Sequence, residues 1–434
     1  MSRLLNLLFL AMVVLPAGAV ARDMQVTVAD DLSTVEVRVS AGMGRLEAQS
    51  PEVWGSLLVL ENGVLENGAK RSRFLMPTDP AKDLVYRVEL NHTGAQWGIS
   101  RWHSPLRLSD WTDWLLTPVN WSMTRPFELN LEVPGKGSAI LPFHLMRHKP
   151  GQFAYKAYPI LPDHGGLSVF GNAQVRQLAF GDTGITSVVI GDQSDETRML
   201  FEWIEQVVQA AVDVHGSAPG GKSLVVIVPV PFVRGVVPWA HVMRGGGSHI
   251  IAYVKQGASM DELLEDWTLF HEMAHLYHPY LHGGGRWVSE GFASYYQNVY
   301  RAQAGVVDPD YAYQRLMAGL ERGRKENVRA GNRPVTQGGR MRTYWTGAAL
   351  ALAADVSIRS GSRQGGSLAL AMGQFAARQM PVDRSWHPRD YLAALDDELA
   401  TPVLVPMYDD YVRDRYFPEP ELSTKGWHVI FGID

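Results

Sequence analysis

His271-Glu272-Met273-Ala274-His275 stands beyond the midpoint of the chain. Fourteen residues separate it from Glu290, in Trp287-Val288-Ser289-Glu290-Gly291-Phe292-Ala293-Ser294-Tyr295-Tyr296. Ahead of it, Ser259 and Glu262 have capping-box spacing, and Leu263, Leu264, Trp267 and Phe270 supply an apolar face. The stretch therefore predicts one helix running from Ser259 into the motif. On a helix, side chains four apart lie about 6 Å along the axis and about 40° around it, so His271 and His275 address one point. Two neutral imidazoles suit Zn2+, and Glu272 beside them is placed to take a proton from water. At this chain's usage of His and Glu, chance yields roughly 0.02 such motifs. Pro279 and the Gly283-Gly284-Gly285 loop stop the helix and let a second one bring back Glu290 as third ligand. His278 and His282 compete for that place.

The two motifs together resemble the gluzincin metallopeptidases, especially the aminopeptidase N and glycyl aminopeptidase branch, in which an HExxH helix is followed by one opening E-G-F-A/T-S-Y. The resemblance covers residues 245–300 and a patch at Tyr344-Trp345-Thr346-Gly347-Ala348-Ala349-Leu350. It implies a thermolysin-like catalytic domain, with His271, His275 and Glu290 as zinc ligands and Glu272 as general base. It also implies Tyr344 as a donor to the oxyanion, with an aromatic at the start of a helix as the alternative reading. Two departures stand out besides Thr346, where the relatives carry Lys. The spacer between His275 and Glu290 is shorter, and the Gly-rich segment whose Glu grips a substrate's amino terminus differs. At the equivalent place stands Gly245-Gly246-Gly247-Ser248-His249, with Ser248 where that Glu is expected. Gly246, Gly247, Ser248 and His249 are accordingly expected to contact substrate, with His249 to Val254 as a strand that pairs with an extended peptide. The glycine run also reads as a turn before a strand. A hydroxyl gives an ammonium no charge-assisted bond, which puts aminopeptidase specificity in question.

Upstream, the pattern from Met24 to about Ala179 is strand-like. Val35-Glu36-Val37-Arg38-Val39 alternates with period two, and short apolar runs at Leu57–Leu60, Leu84–Leu90 and Phe127–Val133 are separated by turn residues. Five Trp, at 97, 102, 111, 114 and 121, read as core packing or as a stacking platform. From Ser194 a helix cap and an i, i+4 apolar stripe lead to His215-Gly216, Leu224 to Val228 reads as a buried strand, and Ala302 to Tyr416 reads as mainly helical.

The chain's 434 residues, 46% hydrophobic, are ample for several cores. Zero Cys excludes thiol nucleophiles, cysteine-ligated zinc and disulfide scaffolds. A net charge of −5 argues against a nucleic-acid partner. Arg3, the apolar stretch Leu7 to Leu15 and the ending Ala19-Val20-Ala21 read as a signal peptide cleaved after Ala21, against an uncleaved anchor. The expected architecture is α+β, with five parts. Residues 1–21 are the signal, 22–180 a β-sandwich-like domain and 181–300 the zinc catalytic domain; 301–417 are helical and 418–434 form a tail. The expected protein is secreted or periplasmic, without stable membrane insertion after cleavage, and acts on a peptide or protein. A non-catalytic zinc-fold binding module and a zinc hydrolase of a non-peptide bond are the alternatives.

Overall fold

Alternating apolar residues build the N-terminal half. The computed structural model describes residues 23–68, 72–90, 106–135, 137–181, 183–231, 233–361, 366–380, 384–418 and 424–431. Asp23–Val28 buries Met24, Val26 and Val28, and Thr34–Val39 buries Val35, Val37 and Val39, while the residues between turn outward. These strands lie within a seven-stranded sheet whose inner face shares one core with a four-stranded sheet containing Leu46, Leu75 and Leu116. Trp111 and Trp114 are wholly buried, and the Trp114 indole N–H donates to Ser168 Oγ at 3.1 Å. Packing is thus the role of these two; Trp97, Trp102 and residues 1–21 lie outside the described residues.

The second sheet carries the site. Its strands are β1 (Ala173–Phe180), β2 (Thr183–Ile190), β3 (Lys222–Val230), β4 (Trp239–Met243) and β5 (His249–Lys255), in the order β1-β2-β3-β5-β4. β2, β3 and β5 are parallel, and β1 and β4 run antiparallel at the two edges. The continuous apolar run in β3 is explained by burial on both faces. Leu224, Val226 and Val228 meet Leu108, Leu167 and Val169 of a three-stranded sheet, whereas Val225 and Ile227 meet Trp203, Ile204 and Val207 of helix α1 (Asp195–His215). This sheet begins at Ala173, inside the segment expected to end the N-terminal domain at 180.

Helix α1 starts as expected, with Ser194 Oγ accepting the Thr197 N–H, and ends on Gly216 at φ 72°. The Ser259–Glu262 capping box also forms and opens α2 (Met260–Glu265). The expected single helix, however, is broken. Asp266 turns to an extended ψ of 131° and its carboxylate takes the Thr268 N–H at 2.8 Å, so a separate helix α3 (Thr268–Ala274) starts there. A 3₁₀ turn, His275–Tyr277, follows, and then come α4 (Arg286–Gln303), α5 (Pro309–Arg329), α6 (Arg340–Gly361), α7 (Leu368–Gln379), α8 (Pro388–Leu399) and α9 (Leu404–Arg413). The segment expected as a tail holds one more helix, α10 (Thr424–Phe431). Its Trp427 is fully buried and donates to Pro309 O at 2.7 Å, which ties it to the start of α5. Among the described residues, no helix is long and apolar enough to cross a membrane.

Candidate metal centre and cleft

Two short helical segments aim three donors at one point. His271 comes from α3, His275 from the 3₁₀ turn that ends it, and Glu290 from the first turns of α4. His271 Nε2 lies 3.3 Å and His275 Nε2 3.8 Å from Glu290 Oε2, and one donor atom from each residue falls within 4.8 Å of the others. The opposite ring nitrogens are occupied. His271 Nδ1 donates to Gln297 Oε1 at 2.9 Å, leaving the Nε2 lone pair for a cation. For His275 the tautomer follows from a relay. The Pro279 carbonyl can only accept, so His278 Nδ1 donates to it at 2.9 Å and His278 Nε2 becomes an acceptor. His275 Nδ1, 3.0 Å away, then donates to His278, and His275 Nε2 is again the free lone pair. Two imidazole nitrogens and a carboxylate oxygen, all free on the inner side, fit Zn2+ with an open fourth position.

This geometry separates the competing histidines. His278 orients His275 and is not a donor to the centre, and His282 lies apart, edge-on to His387 at 5.9 Å. Gln297 escaped the sequence reading, although its place two helical turns after Glu290 puts both on one face of α4. Burial alone would raise the Glu290 pKa, but the neighbouring His271, the hydrogen bond from Tyr344 and the charge of Arg286 hold it below the ordinary carboxylate value. Burial pushes Glu272 up to about 7, with the nearby Glu290 adding to the rise and His271, Arg244 and the Val242 N–H opposing it. Glu272 is not one of the three donors; it sits beside them on α3.

Tyr344 reaches the same place from α6. Its ring lies over His271, with centroids 6.1 Å apart and planes 10° from parallel, and its hydroxyl donates to Glu290 while accepting from Arg286. What permits this is a glycine crossing of α4 and α6. A Cβ on Gly291 would come within 2.2 Å of Gly347 Cα, and one on Gly347 within 1.8 Å of Trp287 O. Gly291 follows Glu290 directly and Gly347 lies three residues after Tyr344, so the contact that needs two glycines also joins the two functional side chains.

These groups open into a cleft of about 650 Å³, walled by Trp239, Ala240, His241 and Val242 of β4, by Trp267 and Thr268, and by Arg286, Ser289, Arg340 and Tyr344 of α4 and α6. Gly246, Gly247, Ser248 and His249, expected at the substrate, do not line it. Their run instead fastens the two halves of the chain. Gly245 and Gly246 N–H donate to Gly165 O and Ile160 O, both at 2.7 Å, and the buried His249 accepts the Leu167 N–H at 2.9 Å. Trp111 joins the same seam through Gly245 O at 3.2 Å. Nor is β5 an open edge, because β3 and β4 flank it; the edge facing the cleft is β4.

No family model matches the chain, and no curated protein matches its sequence. Solved structures do. An aminopeptidase N family protein from Idiomarina loihiensis superposes with a TM-score of 0.63 at 13% identity, covering 94% of this chain and 77% of that one. An M1 zinc metallopeptidase from Deinococcus radiodurans gives 0.52 at 16% identity, with 93% and 95% covered. A yeast LTA4 hydrolase gives 0.50 at 10% identity, with 93% and 69% covered. The chain therefore shares the fold of these aminopeptidase structures, with a sheet-rich N-terminal domain and a helical C-terminal part.

Proposed function

We propose that this chain is an exported zinc-dependent peptidase. The observation that carries the proposal is the convergence of His271 Nε2, His275 Nε2 and Glu290 Oε2, with Glu272 alongside, in an open cleft bordered by the edge strand β4. His271, His275 and Glu290 would hold the ion, and Zn2+, when bound there, polarises a carbonyl and acidifies water. Glu272 accepts a proton from the attacking water and passes it to the leaving amine. Tyr344 donates a hydrogen bond to the charge that develops on the carbonyl oxygen. β4, the edge strand of this sheet among the described residues, offers backbone groups to an extended peptide, which favours a peptide bond over other linkages. A structure of a variant of the Deinococcus radiodurans neighbour holds a Tyr-Ser-Ala substrate, which accords with this reading. The burial of Trp111 and Trp114 removes much of the motive for a non-catalytic binding module.

The test is digestion of a mixed peptide library by the zinc-loaded protein, with new termini read by mass spectrometry. In the same assay Tyr344→Phe is expected to lower kcat by about 100-fold, the usual cost of one oxyanion donor, with zinc content and KM close to those of the parent. An unchanged kcat would leave Tyr344 as a packing residue only. Export rests on residues 1–21, so the protein recovered from outside the cytoplasm should begin at Arg22; recovery with Met1 intact would contradict cleavage.

A further inference from the structure

We propose that the cleft selects its substrate through a carboxylate, held by Arg244, Arg286 and Arg340, rather than through a free amino terminus. This rests on the peptidase reading and adds the substrate class to it. Among the described residues that line the cleft, the carboxylates are Glu272 and Glu290 alone. One is committed to the proton transfer and the other to the metal, so no carboxylate is left for an ammonium. The same lining holds three arginines.

Arg244 is the built part of this arrangement. It follows β4 directly, is only 8% exposed, and donates through Nη2 to His275 O at 3.1 Å. Its Nη1 is buried and has no hydrogen-bond partner in the protein. A buried guanidinium N–H without an acceptor is costly, and a substrate carboxylate would supply what is missing. Arg286 and Arg340, both exposed, lie 6.0 and 5.5 Å from the centroid of the Tyr344 ring. Arg286 is partly engaged with Glu290, its Nε 3.6 Å from Oε1, which leaves Arg340 as the freer of the two. A buried donor in the cleft wall and two exposed cations suit an anionic peptide. The carboxylate is either a C-terminus or an Asp or Glu side chain, and the two are separable by peptide chemistry.

The experiment compares four versions of one peptide that contains Glu: unmodified, N-acetylated, C-amidated, and with Gln in place of Glu. Binding to the zinc-loaded Glu272→Gln protein is measured by calorimetry, and cleavage by the parent protein is followed in parallel. Acetylation is expected to change Kd less than about 3-fold. Loss of the recognised carboxylate is expected to raise Kd by about 10- to 100-fold, and whether amidation or Gln does so identifies its source. Arg340→Met should shrink that preference, narrowing the ratio of Kd between the charged and neutral versions. Arg244→Met should nearly abolish it; if that variant does not fold, the peptide series and Arg340→Met still decide. Binding that needs the free amino group, binding indifferent to both carboxylates, or no binding of any version would overturn the inference. Carboxylate-selective binding without cleavage would support it while removing the peptidase reading, and cleavage without carboxylate selectivity would do the reverse.

Discussion

Replacing Glu272 with Gln is expected to lower kcat for peptide hydrolysis by about 10³-fold while the protein keeps its fold and one bound zinc. Gln has the same shape, and its amide oxygen can still accept the Val242 N–H that the carboxylate now takes. The three converging donors are His271, His275 and Glu290, so the substitution leaves the metal set intact. What is removed is the group able to accept a proton next to the reacting water. Steady-state kinetics and metal analysis on one preparation check both halves. Activity within about 10-fold of the parent would take the role of base away from Glu272.

The second large effect is on the metal itself. His275→Ala removes one of the two imidazoles, leaves two donors where three converge, and strands His278 Nε2 without the proton it accepts. Zinc content after dialysis is expected to fall from one per chain to near zero, with hydrolysis lost in parallel by more than about 10³-fold. His278→Gln offers a contrast, because it disturbs the orientation of His275 without removing a donor. It should weaken zinc binding by about 10- to 100-fold and restore activity at high zinc. If His275→Ala kept a full equivalent of zinc, the centre would lie elsewhere.

The chemistry of the centre was legible because its parts are local. His271, Glu272 and His275 lie within one helical stretch, and Pro279 with the glycine loop announces the return to Glu290. What was not legible depends on pairings between distant segments. Both β4 and β5 precede the motif, and nothing in either run says that β5 is inserted between β3 and β4, so the wrong one was expected to face the substrate. The Gly245–Gly247 run raised a related problem. Glycine signals that something approaches the backbone closely, but not whether that is a ligand or, as here, Gly165 and Ile160 of the same chain. The break at Asp266 was hidden because its neighbours continue an apolar helical pattern, while the turn rests on one carboxylate bond to Thr268. Gln297 and His278 act on the ring nitrogens of His271 and His275, partnerships that follow only from folded geometry. Arg244 gave no signal because its meaning lies in burial and in an unpaired Nη1.

The most direct test of the account is to strip the protein of metal, return zinc in steps, and record peptide hydrolysis against bound zinc per chain. The rate is predicted to start near zero, rise in proportion to bound zinc and level off at one equivalent, with the Glu272→Gln protein binding the same zinc and staying flat. Hydrolysis undiminished without metal, or a chain that takes up one zinc and cleaves no peptide, would contradict it.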